Sequence, residues 1–436
     1  MREQVRPAGR GPVSVGLQSR TSQPFGHRIE ARPWFEAGRA IDGESAWAYL
    51  RALRENGERD APAYCVYVHV PFCASICRYC ALYTRAVHRD AHAVFDEYIE
   101  RVCAGIASHP YAGGMEGPTT VHFGGGTPLQ IGLERFAVLT NALKAAFGDH
   151  DSCEWALETT TSSITPDVMA EIRKLGFRRV HLGVQTLDNG LREHNGIRES
   201  GETALEKVRQ LVDLGFLCST DLIMGFENST EEILRDDLQR LYAAGVRMFS
   251  VCELRHRNAK ALSARQHEEH SMRNYQHWAT LWLWMERMGL HPIHQGQFAR
   301  SQEDNLYFTH PARGEDCVAI GPYSHGSASR LYYGNKLLPG YYAAISSGAS
   351  PIDTAVLYDD GVETIRNLER ELMVHRVRGE TLDRVASQYP EFSRVWSFWE
   401  THELLKEQES GGNWTLSQSG SWFIGNMVMQ ARGLVA

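Results

Sequence analysis

From Ala63 onward the chain alternates short apolar runs with amphipathic segments. The runs Tyr64–Val70 (YCVYVHV), Thr119–Phe123 (TTVHF), Glu154–Glu158 (EWALE), Arg179–Val184 (RVHLGV), Leu217–Met224 (LCSTDLIM) and Arg247–Glu253 (RMFSVCE) have strand length and β-branched or aromatic content. Between them, Leu133, Phe136, Ala137, Thr140, Leu143 and Phe147 recur at helical spacing and stop at Gly148, a C-terminal cap. Pro166–Leu175, Glu202–Leu214 and Thr230–Ala244 follow the same pattern and close on Gly176, Gly215 and Gly245. Strands joined by helices form right-handed parallel crossovers, so these units are expected to curl into an open or closed α/β barrel. Functional residues then belong at the strands' C-terminal ends.

Residues 1 to about 40 carry Arg2, Arg6, Arg10, Arg20, Arg28 and Arg32 among Gly, Pro, Ser and Gln, without a sustained apolar period. This predicts a flexible arm over 1–45, either a simple tail or a cover over substrate. A later helix, Met272–Met288, carries Trp278, Trp282 and Trp284, an aromatic stripe expected to be core rather than a cofactor box. From Asp360 the pattern is helical up to GGNWTLSQSG, a turn-strand-turn, and ends in an apolar helix containing Trp422, Phe423, Ile424 and Met427. The expected organisation is an arm (1–45), a barrel with its extension (46–345) and a C-terminal helical, winged-helix-like domain (346–436). That last region has no dense Lys/Arg stripe, so nucleic acid is not expected there.

Composition narrows the class. With 43% hydrophobic and 22% charged residues in 436, the chain is an ordinary folded one, and its net charge of -8 disfavours a nucleic-acid or membrane partner. No stretch approaches roughly eighteen apolar residues and the N-terminus lacks a secretory core, so a cytoplasmic location is expected. Nine cysteines are too sparse for a disulfide scaffold. Cys73, Cys77 and Cys80 cluster within eight residues, whereas Cys65, Cys103, Cys153, Cys218, Cys252 and Cys317 are scattered and need only packing.

The segment YVHVPFCASICRYCALY, Tyr67–Tyr83, runs a strand into a loop bearing Cys73-x3-Cys77-x2-Cys80. Three thiolates on one short loop can converge on a small inorganic centre. Zinc would take a fourth protein ligand; His69 is a candidate, although no second Cys or His pair sits at zinc-finger spacing. Three cysteines for four irons would instead leave one iron open, which suits a catalytic cluster.

This pattern resembles the radical S-adenosylmethionine (SAM) superfamily and, through YVHVPFCxxxCxYC, its HemN-like branch, over residues 63 to about 330 and more loosely over the C-terminal domain. The resemblance implies a partial (βα)6 TIM-like radical SAM barrel, a 4Fe-4S cluster on Cys73, Cys77 and Cys80, and two SAM molecules. It gives the turn Gly124-Gly125-Gly126-Thr127-Pro128 contact with the methionine amino group, a role for which glycine permits close backbone approach. Glu158, Gln185 and Asp221 are implied as contacts to the ribose and neighbouring parts of SAM. The family's carboxylate-binding Arg lies twelve residues after the Gln; here that position is Ile197, and the role passes to Arg198 if one residue is inserted. Tyr67 and Tyr79 match positions lining the two SAM sites, and Ile320, opening IGPYS, aligns with a turn that closes the second.

Departures from the branch shape the expected activity. Coproporphyrinogen oxidases continue the motif as Cx3Cx2CxC, whereas this chain has Leu82, and haem-chaperone relatives commonly follow the loop with an Asp-Phe pair, whereas this chain has Ala81-Leu82-Tyr83-Thr84. A class C methyltransferase or cyclopropanase, moving a methyl or methylene carbon from one SAM to an sp2 carbon of a natural-product substrate, is therefore the expected function. The alternative is an oxygen-independent coproporphyrinogen III oxidase or a haem-handling protein, with His69, His122, His181, His256 and His325 as possible handles; a zinc protein is the third reading. Expected partners are a small-molecule substrate, an electron donor such as flavodoxin or ferredoxin, and a separate methyltransferase.

Overall fold

The computed structural model describes residues 24–25, 27–29, 37–55, 63–80, 82–114, 117–254, 264–301, 305–407 and 412–435. Six parallel strands are central: β1 (Tyr64–Val70), β2 (Thr120–Gly125), β3 (Glu154–Thr160), β4 (Phe177–Gln185), β5 (Leu217–Met224) and β6 (Met248–Glu253). Each occupies one of the six apolar runs read from the sequence. They pair in chain order, β1 to β6, every neighbour parallel. Helices cross between them, several with side-chain N-caps: Thr165 on Val168 N–H, Ser200 on Thr203 N–H, Thr230 on Ile233 N–H.

The sequence pattern did not reveal a further parallel strand, β7 (Asp316–Ile320), which pairs with β1 on the side opposite β2. Beyond it an antiparallel meander follows: β8 (His325–Ala328), β9 (Leu331–Asn335) and β10 (Ile352–Leu357), with the short strand Arg39–Ile41 at the edge. On the far side the hairpin His291–His294 and Gln297–Ala299 caps β6 antiparallel, giving, among the described residues, one thirteen-stranded sheet in an α/β fold. These outer strands are only three to six residues long and carry no sustained period of two, too short to stand out from loops. The expected boundaries at 45 and 345 fall inside helices Gly43–Glu55 and Leu338–Ser347, and the sheet continues to Leu357.

The apolar core lies between the sheet and its helices and takes in Trp278 and Trp282, so the tryptophan stripe packs as core. A second core belongs to the C-terminal helices Asp360–Met373, Gly379–Gln388, Phe392–Thr401 and Ile424–Arg432, where Trp399 is fully buried. Two strands joining Trp414–Leu416, namely Arg376–Val377 and Leu405–Glu407, complete a three-stranded wing. The expected single final helix is instead Gln418–Trp422 followed by Ile424–Arg432, with Phe423 between them.

The two cores are joined by specific contacts. Trp278 Nε1 donates to Gln418 O (3.3 Å), Gln418 Nε2 to Ala279 O (3.0 Å) and His375 Nε2 to His294 O (3.2 Å). Part of the expected arm docks here: Phe25 packs on Phe398 and Phe423, while Arg28 reaches both Glu253 (2.7 Å) and Trp422 O (3.0 Å).

Trp399 meets Phe392 edge-on at 5.7 Å and donates from Nε1 to Gln430 at 2.7 Å. Trp399→Ala is expected to remove about 3–5 kcal/mol from the C-terminal domain. Calorimetry should show an early transition for that domain; an unchanged melting profile would contradict this packing account.

Candidate active site

β1 leaves the sheet through Pro71 into a two-residue strand, Phe72–Cys73, which pairs in parallel with Arg85–Ala86 and so ties both ends of the cysteine loop together. Arg85 N–H donates to Pro71 O (2.6 Å) and Val87 N–H to Cys73 O (2.9 Å), while at the tip Arg78 reaches His194 O (3.0 Å). Cys73, Cys77 and Cys80 are all half-buried on this loop, and none of the nine cysteines is in a disulfide. Burial pushes the Cys73 thiol up; the Thr127 hydroxyl at 3.6 Å pulls it back, and the nearby Cys80 and Cys77 push it further up.

The glycine turn at the end of β2 is laced to this loop. Gly126 N–H donates to Val70 O (2.8 Å) and Thr127 N–H to Phe72 O (2.7 Å). A Cβ at Gly126 would lie 2.5 Å from Phe72 O, and one at Gly124 would lie 2.6 Å from Glu158 Oε2. Gly125, at φ +106°, would put a Cβ 2.7 Å from the His69 ring. The turn is therefore closed to side chains and offers bare backbone beside the start of the cysteine loop. Among the described residues no three His, Cys, Asp or Glu groups gather tightly enough for a single metal ion. A loop carrying three thiols next to side-chain-free backbone is a donor set that fits an iron-sulfur cluster rather than a single ion.

The inner face of the barrel is polar and paired. His122 Nε2 donates to Glu158 Oε1 (2.8 Å), and His181 bridges Ser219 Oγ (2.9 Å) and Asp221 Oδ1 (2.7 Å). His69 Nε2 lies 3.1 Å from the Tyr83 carbonyl, which can only accept; Nε2 therefore carries the proton and Nδ1 accepts from the Tyr67 hydroxyl at 3.1 Å. Tyr307 stacks on His122 (4.2 Å) and Tyr67 (5.2 Å) from the helix Leu306–Ala312, which packs against the beginnings of β1 and β2. His122 Nδ1 is buried without a hydrogen-bond partner.

Burial sets most of the titration behaviour here. It lowers His69 to about 4, so that ring is neutral, and it drives the Tyr67 hydroxyl well up. Glu158 is pushed up by burial, but the His122 hydrogen bond and the nearby His181 hold it below the usual carboxylate range. Burial pulls His181 down, and the Asp221 carboxylate more than reverses that.

Glu158, Asp221, Tyr67 and Gly124–Gly126 thus share the inner face and rim. Tyr79 turns edge-on to Phe226 (5.6 Å), toward the ends of β4 and β5. Gln185 ends β4 at φ +63°, its amide folded over Gly183, where a Cβ would sit 2.7 Å away. Arg198 is exposed on the loop after the helix Asn189–His194. Arg192 instead is buried and holds the Gln185 turn, donating to Val184 O, Thr186 O and Glu199 O. Ile320 pairs with Val68 and is buried with it in the apolar core, on the sheet face away from Tyr67. His256 lies outside the described residues, and His325 is exposed.

The partners of His122 and His181, the plug Tyr307 and the bracing role of Arg192 were not foreseen. Alternation along β2 and β4 places both histidines inward with Glu158, a signal the strands did carry. Tyr307 gave no signal, because its helix is short and remote in sequence.

Residues 67–241 match the Radical SAM superfamily. This chain carries a radical SAM domain. Its likeness runs to the HemN-like branch: it is 32% identical over 188 residues to the oxygen-independent coproporphyrinogen III oxidase of Bradyrhizobium diazoefficiens (43% of this chain, 41% of that one). It is 29% identical over 203 residues to the heme chaperone HemW of Mycobacterium tuberculosis (46% and 52%), and 24% identical over 303 residues to the anaerobilin synthase of Escherichia coli O157:H7 (66% of each). By sequence the chain spans about half the length of most of these curated relatives. The structure of Escherichia coli coproporphyrinogen III oxidase shares the fold over 93% of this chain and 96% of that one, with a TM-score of 0.76 at 18% identity. A radical SAM domain implies a 4Fe-4S cluster and SAM. Among the described residues no helix is long and apolar enough to cross a membrane.

The pair His181–Asp221 makes a pH prediction. Because the folded pKa of His181 is raised above its ordinary 6.5, the pair stabilises the fold fully below that pH and loses its contribution as pH rises through the raised value. In Asp221→Asn, burial should win and the His181 pKa should drop below 6.5. Histidine NMR titration checks this; a His181 pKa unmoved by the substitution would contradict the pairing.

Proposed function

We propose that this chain is a radical SAM enzyme of the HemN-like type, with Cys73, Cys77 and Cys80 holding the cluster and the rim of the barrel holding SAM. The observation that carries this reading is the half-buried cysteine loop laced by backbone hydrogen bonds to the side-chain-free turn Gly124–Gly126. When bound, the cluster supplies the electron that cleaves SAM to a 5′-deoxyadenosyl radical.

The chain's own groups do the rest. Backbone at Gly124–Gly126 presents carbonyls and N–H groups to a methionine amino group, and Thr127, buried beside Cys73, braces the loop. Glu158 and Asp221 are each oriented by a histidine hydrogen bond, so their remaining carboxylate oxygens accept from ribose hydroxyls. Tyr67 stands on β1 ahead of the loop and Tyr79 on the loop itself, packed against Phe226, while Tyr307 plugs the barrel at its other end and excludes water from that side. Arg192, by clamping the Gln185 turn, keeps that rim fixed.

For substrate, the relatives' names concern coproporphyrinogen and heme, which supports a tetrapyrrole-class small molecule and an oxidase-like or haem-handling role over carbon transfer. Carbon transfer with a second SAM stays as a second reading, favoured by Leu82, 63% exposed, at the position where oxidases carry a further Cys. A flavodoxin or ferredoxin would supply electrons, and a separate methyltransferase belongs only to the second reading.

Anaerobically reconstituted and reduced protein should form 5′-deoxyadenosine from SAM. Cys73→Ala, Cys77→Ala and Cys80→Ala should each reduce this to background, with Tm close to the parent's because the loop lies outside the cores. Turnover surviving in any of the three would overturn the reading. With coproporphyrinogen III, decarboxylated product supports the oxidase-like role, while S-adenosylhomocysteine formed together with 5′-deoxyadenosine supports carbon transfer. Stoichiometric heme uptake without SAM cleavage would make the chain a carrier instead.

A further inference from the structure

Six described non-glycine residues have positive φ, and two of them, Gln185 and Tyr323, stand at the C-terminal ends of barrel strands. Tyr323, at φ +62°, follows β7 by three residues. A bulky aromatic in the left-handed region is strained, and such strain persists only where surrounding structure imposes it. Here it does. Tyr323 N–H donates to Lys336 O (3.0 Å), and Asn335 Nδ2 donates to Gly321 O (3.0 Å) and Ser324 Oγ (3.0 Å). Ser324 Oγ in turn donates to Gly321 O (2.7 Å), and a Cβ on Gly321 would lie 2.8 Å from His69 O.

The clamped turn does not bury the ring it presents. Tyr323 is 41% exposed, outside both cores. Its ring lies 4.6 Å from Tyr83, tilted 38°, 6.0 Å from His69 and 5.5 Å from His325, which stacks on Tyr332 at 5.8 Å. Tyr83 is three residues past Cys80, and its carbonyl accepts from His69. Rings therefore run continuously from the inner face, at Tyr67 and His69, out to the mouth at Tyr83, Tyr323 and His325. Aromatic faces held rigid and left open at a site's mouth favour a flat π-system over a saturated ring of the same size.

We propose that Tyr323 and Tyr83 form a stacking platform for planar conjugated rings, with Tyr323 the residue that selects them at the mouth of the site. The proposal deepens the radical SAM reading by naming how that site recognises its substrate, and its binding test does not depend on turnover. Tyr323 is a specificity residue; it takes no part in SAM cleavage.

The probe is coproporphyrin III, a planar fluorescent macrocycle, titrated anaerobically into the full-length reconstituted protein and followed by fluorescence anisotropy. Parent and Tyr323→Phe should bind within about twofold of each other, and Tyr323→Gly about tenfold more weakly. Glycine relieves the backbone strain, so Tyr323→Gly should melt no lower than a few degrees below the parent, which separates loss of stacking from loss of folding. Unchanged affinity in Tyr323→Gly, or no binding by the parent, overturns the platform. SAM cleavage by the parent is measured alongside: if it occurs while Tyr323→Gly binds normally, the platform fails and the radical reading stands. If coproporphyrin III binds through Tyr323 while the parent never cleaves SAM, the platform stands and the radical reading fails.

Discussion

Two backbone hydrogen bonds, Gly126 N–H to Val70 O and Thr127 N–H to Phe72 O, hold the end of β2 against the exit of β1. They fix where the cysteine loop starts relative to the glycine turn, and the lack of side chains at Gly124, Gly125 and Gly126 makes that closeness possible. Any Cβ there meets Glu158, the His69 ring or the Phe72 backbone at under 3 Å, distances that real Cβ atoms essentially never show. A larger residue would have to push the loop away from the rim, so the proposed chemistry rests on backbone packing as much as on the thiols.

The barrel supplies the second condition, a polar interior inside an apolar shell. Residues such as Val66, Val68, Val121 and Phe123 face the helices and are fully buried, while their neighbours Tyr67, His69 and His122 turn inward. Buried ionisable groups are costly unless they are paired, and here Glu158 and Asp221 each have a histidine. The pairing leaves both carboxylates oriented for a ligand instead of collapsed onto the wall. The C-terminal domain, with a core of its own, is tied to the barrel by Trp278, Gln418 and His375, and Arg28 adds a link from Glu253 to Trp422.

The legible parts of this protein were those governed by local rules. Periodicity of two and of 3.6 located β1 to β6 and four of the helices between them, though not His92–Ser108 or Asn189–His194, and the spacing of Cys73, Cys77 and Cys80 marked the loop, because each signal lies within a few residues. Hidden parts depended on contacts distant in sequence. β7 pairs with β1 across about 250 residues, and nothing in Asp316–Ile320 alone distinguishes a parallel strand from a short edge segment. Counting from Gln185 points to Arg198, which the chain exposes; it buries Arg192, whose three carbonyl partners arise only when the turn has formed. Ile320 aligned with a pocket turn by pattern, yet the parallel register with Val68 directs it into the core. Tyr323 lies within the IGPYS turn that the resemblance aligns with the second SAM site, but its positive φ cannot be seen in a letter.

All of this converges on a single proposed centre, a cluster held by Cys73, Cys77 and Cys80 with one side open to SAM. The most direct measurement is electron paramagnetic resonance of the anaerobically reconstituted, reduced protein with and without SAM. The account predicts a 4Fe-4S signal whose g-values shift when SAM is added, because SAM takes the position that no protein sulfur fills. A protein that assembles no 4Fe-4S cluster, or one whose signal is indifferent to SAM, would contradict it.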